Sequence, residues 1–362
     1  MTQINVIGNI LGSSGYDVHT RNLANALSKI TDVRLSTTIQ PGQEALLADR
    51  ELEMIKKPDK GEINLIITSP LFWRLHTNAK RNWAFFVWEG DRVPRHFIEE
   101  CLNPDIEYIF VPSEHTRDAI YSTLEKFELD MGEHDKVYEK IKVISHGVDL
   151  GLFYPKQVEK ERFTFVLNKG FRNLEDRGGT QYAIQAYLEE FTGKDNVELI
   201  VKINPAYGIP NIQQLINEIK PKDKTDFGMV NINTDNIPYN ILVDLYNKGN
   251  VFVMPTRAES FGIPGIESMA CGVPIITSSF GGQTDYANKD NSWIIGGELT
   301  EIVHEVQYEN TKWLTPSIPE LRKAMREAHT NKELLKEKGE KSLETSKKFT
   351  WDSTALKVKK LI

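Results

Sequence analysis

Short runs of Val, Ile, Phe and other apolar residues recur along this sequence, separated by longer amphipathic stretches, and the series runs twice. The first set is INVIGNIL (4–11), INLIITS (63–69), NWAFFVW (82–88), YIFVPS (108–113) and KVIS (142–145), with HTRNLANALSKI (19–30) and EHTRDAIYSTLEKF (114–127) between them. The second is FTFVLN (163–168), VELIVKIN (197–204), FGMVNIN (227–233), VFVMPT (251–256) and PIITSS (274–279), with helices expected near 180–191, 238–248 and 265–271. Strand and helix in alternation predict a parallel sheet with helices on both faces. Two such series predict an α/β chain of two Rossmann-like domains. HGVDLGLFYPKQ (146–157), with its Gly, Pro and polar residues, falls where the count restarts, so a hinge is expected there. The expected domains are 1–150 and 151–348, followed by a final helix after FTWDS (349–353).

Composition agrees with this. At 362 residues the chain is too long for one compact core and suits two domains. No segment approaches the roughly 18 apolar residues of a membrane span. The start, MTQINVIGNILG, has no basic stretch before its apolar run and reads as a first strand, not a signal peptide. Two cysteines, Cys101 and Cys271, build no disulfide framework, which points to a reducing, cytoplasmic setting. The net charge is −7, and residues 1–150 hold 17 basic against 23 acidic side chains. That balance speaks against nucleic acid as a partner and allows at most weak peripheral membrane association.

Ligands of open parallel sheets gather at the carboxyl ends of the strands. Two stretches there carry chemistry. In GNILGSSGYDVHTRNL (8–23) an expected strand runs through Gly12-Ser13-Ser14-Gly15 into a helix whose N-terminus suits a diphosphate. The spacing is neither G-x-G-x-x-G nor a P-loop, and a plain turn explains the glycines equally well. In VFVMPTRAESFGIPGIESMACGVPIITSSFGGQTDY (251–286) a buried strand is followed by Glu259, then Phe261-Gly262-Ile263-Pro264, then Glu267 one turn into a helix. Pro264 suits a first helical turn, and Glu267 there is placed to accept hydrogen bonds from vicinal hydroxyls, as a carboxylate does with ribose. Read as isolated residues, the two glutamates are better explained as an exposed helix residue and a loop charge.

The run PTRAESFGIPGIESMACGVPIITSSFGG resembles the donor-site signature of the family-4 retaining glycosyltransferases (glycosyl transferases group 1), with its paired glutamates separated by seven residues and Phe-Gly after the first. SGYDVHTRNLANAL, WEGDRVP (88–94), VPSEHTRDAI (111–120), ISHGVDLGLFYP and LNKGFRNLEDRGGTQYAIQAY (167–187) resemble further segments of that family in the same order, across most of the chain. The resemblance implies a GT-B fold, two domains facing across a cleft, with the final helix 349–362 crossing back to the N-terminal domain. It implies a retaining hexosyltransferase that takes a nucleotide-diphosphate sugar as donor and a glycan, lipid-linked or small-molecule acceptor, as in polysaccharide biosynthesis.

The same resemblance distributes roles. Glu267 is implied to hold the ribose hydroxyls, and Glu259 to lie beside the donor sugar as a candidate catalytic carboxylate. Phe261, Gly262 and Ile263 are implied to offer backbone N–H groups to the sugar or distal phosphate, and Gly12 and Gly15 to line the donor site. A basic pair is implied on the diphosphate: Arg177, with either Lys169 or Arg172, the latter nearer the usual spacing. The sequence departs from the family's R-K-G here, with Asp176 in place of a common Arg. Lys202, at a strand end, is a further candidate, though a strand-terminal lysine that merely snorkels fits as well. Glu89 stands where many members carry a donor-contacting His and is the second catalytic candidate, against a helix-capping carboxylate. His19, His115 and His146 are expected in structural roles. No cofactor and no metal site is expected, because metal-ligand spacings are missing. A sugar-nucleotide epimerase and a non-catalytic nucleotide-sugar binding protein on the same scaffold are the alternatives.

Overall fold

The computed structural model describes residues 1–362 except 127–130, 172, 174, 205–210, 236, 304–307 and 309, and only the backbone of Met131. The chain forms two compact units. One comprises Met1–Gly147, Ile302–Thr311 and Phe349–Ile362; the other comprises Val148–Glu301 and Lys312–Lys348.

The first unit is built on six parallel strands: β1 (Gln3–Gly8), β2 (Asp32–Ser36), β3 (Ile63–Ile67), β4 (Arg81–Phe85), β5 (Tyr108–Val111) and β6 (Ile141–Val143). Their order is β2-β1-β3-β4-β5-β6. Helices α1 (Gly15–Leu27), α2 (Asp49–Lys56), α3 (Arg95–Cys101), α4 (Glu114–Lys126) and α5 (Met131–Lys140) connect or flank them. β1 and β3 are buried along their whole length, as apolar strands covered on both faces must be. One transverse row is nevertheless polar. Asn5 stands in register with Arg34 on one side and Asn64 on the other. Its amide donates to Asn64 Oδ1 at 3.0 Å and accepts from Arg34 Nη1 at 2.9 Å. The covering segment on this face is not an α-helix: residues Pro70–His76 form a 3-10 turn, and the His76 carbonyl and the Asn78 side chain accept from Asn64.

The second unit holds β7 (Phe163–Lys169), β8 (Val197–Ile203), β9 (Met229–Asn233), β10 (Val251–Met254), β11 (Ile275–Ser278) and β12 (Ser292–Ile295), all parallel, in the order β12-β11-β10-β7-β8-β9. Strand order reverses between β7 and β10, the position where such sheets bind ligands. Helices α6 (Thr180–Glu190), α7 (Ile212–Ile219), α8 (Leu242–Lys248) and α9 (Ile263–Ala270) alternate with the strands. A hairpin of β13 (Gly297–Glu301) and β14 (Lys312–Pro316) and the helices α10 (Ile318–Thr330) and α11 (Lys332–Ser346) follow. The core joins Phe165, Tyr187, Phe191 and Leu199 to Trp293 and Met325.

The last helix, α12 (Trp351–Lys359), belongs to the first unit. It packs on α1, and Trp351 stacks over His19 with ring centroids 5.8 Å apart. Residues 302–311, expected within 151–348, also group with the first unit. Contacts of Tyr308 and Thr311 explain this: the Tyr308 ring lies 4.9 Å from Trp88, and the Thr311 hydroxyl donates to the Arg92 carbonyl at 3.0 Å.

Candidate functional site

Three loops meet at the carboxyl ends of β7, β10 and β11. The loop after β7 contains Gly179, whose φ of +74° places it in the left-handed region. A Cβ there would lie 1.9 Å from the Pro255 carbonyl oxygen, so only glycine lets the two loops close on each other. They are then pinned by the Arg257 N–H and the Thr256 hydroxyl, which donate to the Arg177 carbonyl at 2.8 and 3.1 Å. Gly282 N–H from the third loop donates to the Glu259 carbonyl at 2.7 Å. Asp176, which departs from the family pattern, is buried, and its carboxylate accepts the Gly178 N–H at 2.9 Å, shaping the turn.

Glu259 sits at the centre of this junction. Its carboxylate is ion-paired with the Lys169 ammonium. Burial pushes the Glu259 carboxyl up, but Lys169 and Arg177 together outweigh it and hold it below the usual glutamate range. Glu259 is therefore ionised at neutral pH. The Arg177 guanidinium reaches the Ala258 carbonyl at 3.3 Å. Of the two residues the sequence left open as Arg177's partner, Lys169 is the one seen on Glu259; Arg172 lies outside the described residues.

Gly262 caps α9 in the left-handed conformation at φ +84°. The Tyr286 hydroxyl donates to its carbonyl at 2.7 Å, and a Cβ on Gly262 would crowd that hydroxyl at 2.8 Å. Phe261 is fully buried with its ring 5.3 Å from Tyr286, and Ile263 is the first residue of α9, followed by Pro264. Glu267 lies one turn further on. It is 2% exposed, yet both carboxylate oxygens are satisfied: Tyr239 donates to Oε1 at 2.6 Å and Tyr246 to Oε2 at 2.8 Å. Burial lifts its pKa from the usual value to about 7, and the two tyrosines restrain the rise. Tyr246 also accepts from Asn168 Nδ2 at 3.2 Å.

Asn168 pairs in register with Lys202, so the second basic candidate borders the same network. Lys202 is 3% exposed and its ammonium donates to the Ile203 carbonyl at 2.7 Å. Burial lowers its pKa, and Asp235 partly restores it. Tyr239 and Tyr246 were not singled out in the sequence. Tyr246 lies in α8 and Tyr239 in the 3-10 turn Tyr239–Ile241 just before it, so no single helical period in the sequence joined them.

The remaining candidates belong to the first unit. The Gly12 N–H donates to Asp17 Oδ1 at 2.8 Å, and Ser14 N–H to Asp17 Oδ2 at 3.2 Å. Asp17 thus occupies the donors that the sequence assigned to a diphosphate, in a capping box at the start of α1. Gly15 begins the helix with open space where a Cβ would be. Glu89 follows β4. Its carbonyl bonds His115 Nε2 at 2.8 Å, and its carboxylate accepts the Tyr308 hydroxyl at 3.3 Å. His19 and His146 are buried, 4.3 Å apart, between Phe85 and Trp351.

With this geometry in place, the comparisons are direct. Residues 213–332, which include Glu259, Glu267, Tyr239 and Tyr246, match the family model of the glycosyl transferases group 1. That segment of the chain is similar to the family. Among similar proteins, a probable sucrose-phosphate synthase of Thermosipho melanesiensis is 25% identical over 184 residues, 49% of this chain and 40% of that protein. The O-antigen chain mannosyltransferase RfbU of Salmonella typhimurium is 28% identical over 141 residues, 39% of this chain and 36% of that protein. The match thus spans two fifths or less of each of these relatives. Among solved structures, a sucrose-phosphate synthase from Thermosynechococcus elongatus superposes with a TM-score of 0.71 at 16% identity, covering 100% of this chain and 98% of that one. Anabaena HepE, solved with UDP-glucose, gives 0.69 at 13% identity over 100% and 99%. These likenesses establish the fold: two Rossmann-like six-stranded sheets of the GT-B class. Among the described residues no helix is long and apolar enough to cross a membrane.

Proposed function

We propose that this chain is a retaining glycosyltransferase that moves a sugar from a nucleotide-diphosphate sugar to a hydroxyl of a glycan, lipid-linked or small-molecule acceptor. The observation that carries the reading is Glu267. A buried carboxylate at the strand-order reversal, oriented by two tyrosine hydroxyls, keeps one lone-pair direction on each oxygen for a vicinal diol. That is how a carboxylate holds ribose. The names of the relatives, two of them a sucrose-phosphate synthase and a mannosyltransferase, support the class.

In this reading Lys169 and Arg177 face the diphosphate while Glu259 fixes both cations beside the donor sugar. The N-terminus of α9, with Gly262 and Ile263, adds the positive end of a helix dipole. As the bond from the anomeric carbon to the phosphate oxygen breaks, negative charge grows on the phosphate, where the cations and dipole stabilise it. The acceptor oxygen bonds the anomeric carbon on the face the phosphate leaves, and its proton passes to the departing phosphate. This scheme uses no divalent metal and no cofactor. We place the chain in the cytoplasm, where Cys101 and Cys271, both buried and free, stay reduced.

Incubation with UDP-, GDP- and ADP-sugars and neutral acceptors in EDTA tests this. The reading requires release of nucleoside diphosphate with one donor and an anomeric configuration in the product equal to that of the donor. An inverted product, or a change of the sugar without transfer, contradicts it.

A further inference from the structure

Lys202 is buried at the end of β8, so its head group does not snorkel to water. An ammonium has three N–H donors, and among the described residues the Ile203 carbonyl is the one acceptor it meets, at 2.7 Å. A buried cation with unused donors is costly until an acceptor completes its shell. Asp235, in the loop after β9, offsets part of that cost through its charge. Asp235 is exposed, and its carboxylate makes no hydrogen bond or ion pair among the described residues. A cation and an anion thus stand near each other with most of their hydrogen-bonding capacity unspent.

Their place in the sheet says what could reach them. Asn168, Lys202 and Asn233 stand in register across β7, β8 and β9, and residues in register share one face. At the inner end of this row Asn168 donates to Tyr246, which donates to Glu267. At the outer end the Asp235 N–H donates to Asn233 Oδ1 at 2.9 Å, which folds the loop back over the row. The row therefore leads from the proposed ribose carboxylate toward the edge strand β9, with Lys202 one strand spacing, about 4.8 Å, beyond Asn168. A nucleoside diphosphate extends in two directions from its ribose. Lys169 and Arg177, beside Glu259 in the junction of the β7 and β10 loops, take the diphosphate end, which leaves the base for the Lys202 side.

An ammonium beside a carboxylate discriminates among the bases. Guanine sets two acceptors, N7 and O6, next to two donors, N1–H and the 2-amino group, so one cation and one carboxylate satisfy its whole edge. Uracil alternates carbonyl, N–H and carbonyl, and a carboxylate that reaches the N–H lies against a carbonyl oxygen. Adenine places its single amino donor between two acceptor nitrogens, so a carboxylate finds one partner and not two. We propose that Lys202 and Asp235 read the base edge of the donor and select guanine, which makes the donor a guanosine-diphosphate sugar. The placement rests on the reading of Glu267 as the ribose carboxylate.

The test is calorimetric titration of the full chain at pH 8 with GDP, UDP, ADP and inosine diphosphate, the last being GDP without its 2-amino group. GDP is expected to bind at least about tenfold more tightly than each of the others. Asp235→Ala, at an exposed position, should close the gap between GDP and inosine diphosphate. Lys202→Met should weaken the two alike, by about tenfold, because both keep O6. Thermal melts confirm that each variant folds. UDP or ADP bound as tightly as GDP, a gap to inosine diphosphate that survives Asp235→Ala in full, or a folded Lys202→Met that binds GDP like the wild type overturns the assignment. The two readings fail separately: sugar transfer from a UDP- or ADP-sugar keeps the glycosyltransferase and removes guanine selection, whereas guanine-selective binding without transfer does the reverse. Binding of no nucleotide removes both.

Discussion

The hydroxyl of Tyr246 donates to Glu267 Oε2 at 2.8 Å with both side chains withdrawn from solvent. This bond restrains a carboxyl that burial pushes up to about 7. A ribose diol donates better to the ionised form, so nucleotide affinity is expected to rise as pH increases through about 7. Tyr246→Phe removes one restraint, moves that midpoint upward and lowers affinity at neutral pH by about tenfold, the scale of one hydrogen bond to a charged group. Calorimetric titration across pH 6–8.5 checks both effects.

The same carboxyl carries a stability signature. Its folded pKa lies above the unfolded value, so between about 4.5 and 7 the native state binds more protons than the unfolded state. Its contribution is complete below that window and is lost as pH rises through it, on the order of 3 kcal/mol. Glu267→Gln is expected to flatten this decline, which urea unfolding at pH 5 and pH 7.5 measures.

His19 acts in the opposite direction. Burial, and secondly the adjacent His146, hold its pKa well below the ordinary value. The unfolded chain therefore takes up a proton as pH falls below about 6.5 while the native state resists it, and stability drops on the acid side. His19→Leu should reduce acid sensitivity between pH 6.5 and 5 in the same unfolding series.

Much of this was legible in the sequence, and the reasons are physical. Parallel strands buried on both faces must be apolar, so β1, β3 and β10 announce themselves, and Pro264 marks the start of α9 to within a residue. Edge strand β2, DVRLS, does not, because its alternate residues are only half buried. Ser292–Ile295 is too short to stand out. The glutamates were visible as a motif, but Tyr239, 28 residues from Glu267, joins it only through tertiary packing. The Gly12–Gly15 loop shows the converse. Its composition suits an anion, yet Asp17, five residues on, satisfies Gly12 locally.

The ion pair of Lys169 with Glu259 gives a further prediction. Lys169→Met leaves Glu259 with Arg177 and should weaken nucleotide-sugar binding about tenfold. Glu259→Gln frees both cations, so nucleoside diphosphate binding persists while turnover falls by at least about a hundredfold. Comparing Kd with kcat for the two variants separates the roles.

The claim that Glu267 is the nucleotide carboxylate is tested most directly by calorimetric titration of UDP, GDP and ADP onto the wild-type chain and Glu267→Ala at pH 8. The account predicts that one nucleotide binds the wild type and that the variant binds it at least about a hundredfold more weakly, the worth of two hydrogen bonds to a charged group. Equal affinity in a folded Glu267→Ala variant would contradict it.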